Sequence, residues 1–103
     1  MLGLLKNEEL LRHVAEFFNV LSDETRLKII NSLMDDEKTV SEIVLTVGIS
    51  QSAVSHQLRL LRQFGIVKYR KVGKYVYYSI DDEHVEKVIN QAFEHIEHKN
   101  AKE

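Results

Sequence analysis

Apolar residues recur at helical spacing over residues 8–21, where Leu10, Leu11, Val14, Ala15, Phe17, Phe18 and Leu21 share one broad face. Ser22-Asp23 breaks the run and offers N-cap chemistry. A second helix is predicted over residues 24–34, with Leu27, Ile30, Leu33 and Met34 inward, followed by a polar loop over residues 35–38. Thr39-Val40-Ser41-Glu42 has the form of a capping box and opens a short third helix to about Val47, with Gly48 just past its end. Ser50 then caps a fourth helix running to Phe64, whose inner stripe is Val54, Leu58 and Leu61 with Leu60 at its margin, and Gly65 closes it. Two alternating stretches, residues 67–71 and 75–79, flank Gly73-Lys74 and read as a tight hairpin. Asp81-Asp82 starts a last helix reaching about His98.

The expected fold is therefore mainly α with one β-hairpin, as a single domain over residues 1–103. The third and fourth helices, joined through Gly48, form a helix-turn-helix pattern, whose second helix enters the DNA major groove. No apolar run approaches the length that spans a bilayer, and the stretch over residues 1–6 is too short for a signal peptide, so a cytoplasmic protein without membrane contact is expected. There is no cysteine, which excludes disulfides and thiolate metal sites.

Charge changes the picture. Net charge is only −2, yet residues 43–80 carry six basic residues and no acid. A basic tract inside an acidic chain is the footprint of a polyanion site. The outward residues early on the fourth helix, Gln51, Ser52, Ser55 and His56, can reach phosphates or base edges of double-stranded operator DNA. Arg59 and Arg62 continue along that helix as phosphate partners, and Arg70, Lys71 and Lys74 make the hairpin a basic wing. The tyrosines Tyr69, Tyr75, Tyr77 and Tyr78 are expected to pack within the sheet.

The last helix carries a broad apolar stripe of Val85, Val88, Ile89, Ala92, Phe93 and Ile96, suited to packing on a partner helix. His84, His95 and His98 cluster on one flank of that stripe, and Asp82 stands at its start. His84 and His98 are roughly 21 Å apart along one helix, so one copy cannot close these ligands on one ion. Two antiparallel copies about a twofold axis near Asn90 can, with Asp82 and His84 of one chain beside His95 and His98 of the other. The result is two equal sites of one carboxylate and three imidazoles. That set suits tetrahedral Zn(II) or Co(II) as a regulatory ligand, and suits Ni(II), which takes more ligands, less well. His13 stands alone and is given no role. No His-Glu-x-x-His helix, nucleophile elbow or glycine-rich phosphate loop is present, so a small metal-dependent hydrolase is disfavoured and no enzyme is expected.

The string from Ser50 to Leu61, followed by Gly65-Ile66-Val67 and the hairpin from Arg70 to Tyr78, closely resembles the ArsR/SmtB family of metal-sensing repressors. Leu21 to Arg26 resembles the start of that family's second helix as well. The resemblance covers roughly residues 10–98. It implies a winged helix-turn-helix homodimer, joined through its N- and C-terminal helices, that represses metal-resistance or efflux genes until metal binding lowers its DNA affinity. The family's Asp-x-His and His-x-x-His pattern falls on Asp82, His84, His95 and His98. Where other members carry third-helix cysteines, this chain has Thr39 and Ser41. The second nitrogen of a ligating histidine usually donates to a carbonyl, so metal-bound His95 is expected to reach the backbone near Gly65. The competing expectation is a regulator of the same fold whose DNA affinity zinc leaves unchanged.

Overall fold

The computed structural model describes residues 7–101; the opening apolar stretch over residues 1–6 and residues 102–103 lie outside it. In chain order the elements are α1 (Glu8–Leu21), α2 (Glu24–Ser32), β1 (Lys38–Thr39), α3 (Val40–Val47), α4 (Gln51–Gln63), β2 (Val67–Val72), β3 (Tyr75–Ile80) and α5 (Glu83–Ala101). The predicted order of helices and hairpin is borne out, with one strand added. Among the described residues no helix is long and apolar enough to cross a membrane.

The helix starts have local causes. Asp23 accepts from the Arg26 amide at 3.0 Å. Thr39 and Glu42 form the reciprocal capping box: the Thr39 amide donates to Glu42 Oε1 at 2.9 Å and the Glu42 amide to Thr39 Oγ1 at 3.3 Å. Ser50 Oγ accepts from the Ala53 amide at 3.1 Å. The second helix ends at Ser32, short of the predicted Met34. Lys38 Nζ caps that end by donating to the Ser32 carbonyl.

Gly48 closes α3 at φ 79°, and its amide donates to the Val44 carbonyl at 2.8 Å. A Cβ there would meet nothing within 4 Å, so only backbone conformation resists substitution. Gly48→Ala should therefore cost about 1–2 kcal/mol, seen as a lower Tm, and Gly48→Asn less. Equal melting of Gly48→Ala and the parent would contradict the left-handed assignment.

The sheet is three-stranded and antiparallel, in the order β1-β3-β2. Lys38, expected in a polar loop, and Thr39, expected only as a helix cap, pair with Tyr78 and Tyr77 of β3. A bare hairpin edge exposes unpaired backbone groups, and this segment pairs with part of the β3 edge, at Tyr77 and Tyr78. Two residues are too few to carry an alternation signal. The β2–β3 register runs from Val67↔Ile80 to Val72↔Tyr75 and leaves Gly73-Lys74 as the loop. Gly73 has φ 60° and no described non-glycine residue has a positive φ, the pattern of a type II′ turn.

One core cluster unites Ile29 and Ile30 of α2, Ile43 of α3, Val54, Leu58 and Leu61 of α4, Ile66, Val67, Ile80, and Val85 and Ile89 of α5. Val20 and Ile29 belong to it without having been expected; Leu27 and Met34 are only half-buried. The apolar face of α1 is divided on the single chain. Val20 and Leu21 are buried at its end, but Leu10, Leu11, Val14 and Phe18 are exposed, Leu10 and Leu11 at 57% each. On α5 the apolar stripe divides the same way: Val85 and Ile89 enter the core, while Val88, Phe93 and Ile96 remain outside. A cleft of about 220 Å³ between α2 and α5 is lined by Leu27, Ile89, Ala92, Phe93 and Ile96.

Candidate nucleic-acid interface and metal centre

Burial of Val54, Leu58 and Leu61 fixes the rotation of α4. The opposite face, with Gln51, Ser52, His56, Arg59 and Arg62, is exposed, and Ser55 is half-buried. No acid lies on this helix. Arg26 holds it in place: Nε donates to Gln57 Oε1 at 3.0 Å and Nη1 to the Val20 carbonyl at 3.4 Å. One side chain thus ties α4 to the junction of α1 and α2. Sequence spacing did not reveal this, because the hydrogen bond joins positions 31 apart.

In the wing, the Arg62 guanidinium lies 4.8 Å from the centre of the Tyr69 ring, which itself packs 5.9 Å from Tyr78. Lys74 Nζ lies 5.5 Å from the Tyr75 ring. Tyr77 and Tyr78 are half-buried in the sheet as expected, whereas Tyr75 stands outermost at 53% exposed. Lys71 and Lys74 make no ion pair among the described residues. Arg70 differs from both. Its Nε donates to Glu37 Oε2 at 2.8 Å, its Nη2 donates to Glu37 Oε1, and its guanidinium sits 5.3 Å from the Tyr77 ring. The Arg70 hydrogen bonds hold the Glu37 carboxyl below its usual range, and Glu37 in turn raises Arg70.

All four predicted metal ligands lie on α5 or at its cap. Asp82 Oδ1 accepts from the Val85 amide at 3.0 Å and so caps the helix. That bond is the main reason its carboxyl stays below the usual range, with nearby His84 adding to it. Oδ2 lies 3.6 Å from His84 Nδ1, and the His84 side chain is 85% exposed. His95 and His98, one turn apart, are exposed near the far end. Eleven positions separate His84 from His95, about 16 Å along the axis. Among the described residues of one chain, no three His, Asp or Glu side chains come close enough to hold a metal. The donor chemistry fits a tetrahedral ion, but only if both ends of the helix meet through a second copy.

Asp81 has another task. Its amide donates to the Ile66 carbonyl at 2.9 Å, and the Ile66 amide donates to the Leu61 carbonyl at 2.9 Å. The residue before Asp82 is therefore joined by backbone to the end of α4. Among the described residues of the single chain, His95 makes no hydrogen bond to a carbonyl near Gly65, and the Ile66 carbonyl accepts from the Asp81 amide.

Residues 23–69 match the bacterial regulatory proteins of the arsR family. The chain is similar to a cadmium resistance transcriptional regulatory protein CadC homolog of Staphylococcus aureus, 48% identical over 80% of this chain and 69% of that protein. It is also similar to a transcriptional repressor SmtB homolog of Synechocystis, 42% identical over 84% of this chain and 65% of that protein, so the match spans just under two thirds of the latter's length. The homodimeric winged helix-turn-helix DNA-binding domain of a possible ArsR-family regulator from Mycobacterium bovis superposes with a TM-score of 0.82 at 31% identity, covering 90% of each chain. With its capped helix-turn-helix, its wing and these relatives, the chain belongs to the ArsR/SmtB family of winged helix-turn-helix transcriptional regulators.

Proposed function

We propose that the chain acts as a homodimeric, metal-responsive repressor that binds double-stranded operator DNA without metal and loses affinity when Zn(II) or Co(II) binds between its copies. The observation that carries this reading is the division of the ligand set between the two ends of α5. Asp82 and His84 lie at one end and exposed His95 and His98 near the other, and the outer apolar residues Val88, Phe93 and Ile96 share the helix with them. An antiparallel second copy would cover that apolar face, and the exposed face of α1 gives it further surface to bury. The same pairing makes two sites, each with one carboxylate oxygen and three imidazole nitrogens. Asp82 suits the role better than Asp81, because Oδ1 alone makes the cap and Oδ2 remains beside His84.

On the DNA side, each half-site would receive one α4. Gln51, Ser52, Ser55 and His56 reach toward base edges, and Arg59, Arg62, Lys71 and Lys74 toward phosphates. Metal bound at the ligand set would tie the two α5 helices into one fixed geometry. Asp81 then passes strain from the start of α5 to Ile66 and the end of α4. Any such opposition between metal and DNA is reciprocal, typically 1–3 kcal/mol. The regulated genes would be those of metal efflux or resistance, and the protein would work in the cytoplasm.

Co(II) titration of the metal-free protein, followed by visible absorption, tests the site without knowledge of the operator. Intense ligand-field bands saturating at one Co(II) per chain and displaced by Zn(II) are expected for the tetrahedral set. Weak octahedral bands would point to Ni(II) instead. Absence of saturable binding would leave a DNA-binding regulator with some other signal.

A further inference from the structure

We propose that Arg70 and Glu37 form a brace that sets the angle of the wing against the recognition helix, so that Arg70 serves DNA binding by positioning rather than by touching phosphate. The proposal rests on the DNA-binding reading above. Side chains alternate along β2. Tyr69 faces α4, where Arg62 lies over its ring. Lys71 shares that face by alternation, and Arg70 takes the opposite one. There Arg70 passes over Tyr77 of the central strand and meets Glu37, the residue leading into β1. The contact spans the whole sheet, from one outer strand to the other.

The far end of this contact is anchored in the helix-turn-helix itself. Glu37 precedes Lys38-Thr39, and Thr39 is the N-cap of α3. Wing, central strand and the start of α3, the first helix of the helix-turn-helix, are thereby linked through one ion pair. An exposed ion pair is ordinarily weak. This one has the features that strengthen such pairs: two parallel hydrogen bonds from one guanidinium, and a ring beneath it. With Nε and Nη2 donating to Glu37, that edge of the Arg70 guanidinium is turned toward the acid and not toward a phosphate.

The test uses the full-length metal-free protein and a duplex of about 30 base pairs, enriched from a random pool by the parent protein. Affinity is measured by fluorescence anisotropy over a salt series, and thermal melting checks each variant's fold. Arg70→Lys keeps the charge and loses the fork. The brace predicts about fivefold weaker binding for it with an unchanged salt slope, the upper range for an exposed pair. It also predicts that Glu37→Arg and Arg70→Glu each weaken binding, and that the two together recover the parent affinity to within about twofold, as a restored pair should. Parent-like binding by Arg70→Lys overturns the brace. So does failure of the exchanged pair to recover, with Arg70→Gln losing about 0.9 of slope as a lost phosphate contact would. A parent protein that enriches no duplex overturns the DNA reading and the brace with it.

Discussion

His95→Ala is expected to bind DNA as the parent does without metal and to ignore zinc. The imidazole is exposed and makes no hydrogen bond among the described residues, so its loss removes nothing that holds the single chain together. Alanine is also the better helix former, which makes the change neutral or slightly stabilising. The metal response should behave differently. A regulatory coupling of 1–3 kcal/mol is a five- to 150-fold change in DNA affinity, and the variant should show none of it. The measurement is anisotropy of an enriched duplex with and without Zn(II), at a zinc concentration that saturates the parent. His13→Ala, on α1 and outside the proposed ligand set, is the control that should keep the full response. If His95→Ala still releases DNA with zinc, the coupling does not run through the proposed site. Weakened binding without metal would place His95 in the apo interface instead.

Leu58→Ala should cost about 2–5 kcal/mol. Leu58 is completely buried at the centre of the recognition helix, within the cluster that joins α2, α3 and α4. Native domains hold only about 5–15 kcal/mol in total, and small ones sit low in that range. A loss of this size should lower Tm by roughly 10 °C or more. Leu45→Ala provides the contrast. The same residue type stands at 85% exposure on α3, and its truncation should fall within about 0.5 kcal/mol. Thermal melts of both variants decide the matter. Similar melting of the two would mean that α4 does not pack on the face assigned to it.

Much of this architecture is local in origin and therefore readable in the chain. Thr39 and Glu42 lie three positions apart and satisfy each other's backbone, so their spacing alone announces α3. Ser50, Asp23 and Asp82 cap their helices for the same reason. The stripe of Val54, Leu58 and Leu61 sets which face of α4 turns inward, and with it which polar residues remain outside. Gly73 before Lys74 marks the turn, because few other residues tolerate that backbone conformation.

Periodicity says that a face is apolar, and not what covers it. The face of α1 is apolar in the sequence, and Leu10, Leu11, Val14 and Phe18 stay exposed on the single chain. The two-residue strand at Lys38-Thr39 exists because β3 offers an unpaired edge, and nothing in two residues announces that. Arg26 bonding Gln57, and Arg70 bonding Glu37, join positions more than thirty residues apart. By itself the sequence determined the helix caps, the turn and the inward face of the recognition helix, because each depends on neighbours within a few positions. Only the tertiary structure decided that Arg70 is engaged by an acid, that Asp81 ties α5 to the end of α4, and that β1 pairs along part of the β3 edge. Those outcomes depend on distances between elements, which hydrophobic patterning does not encode.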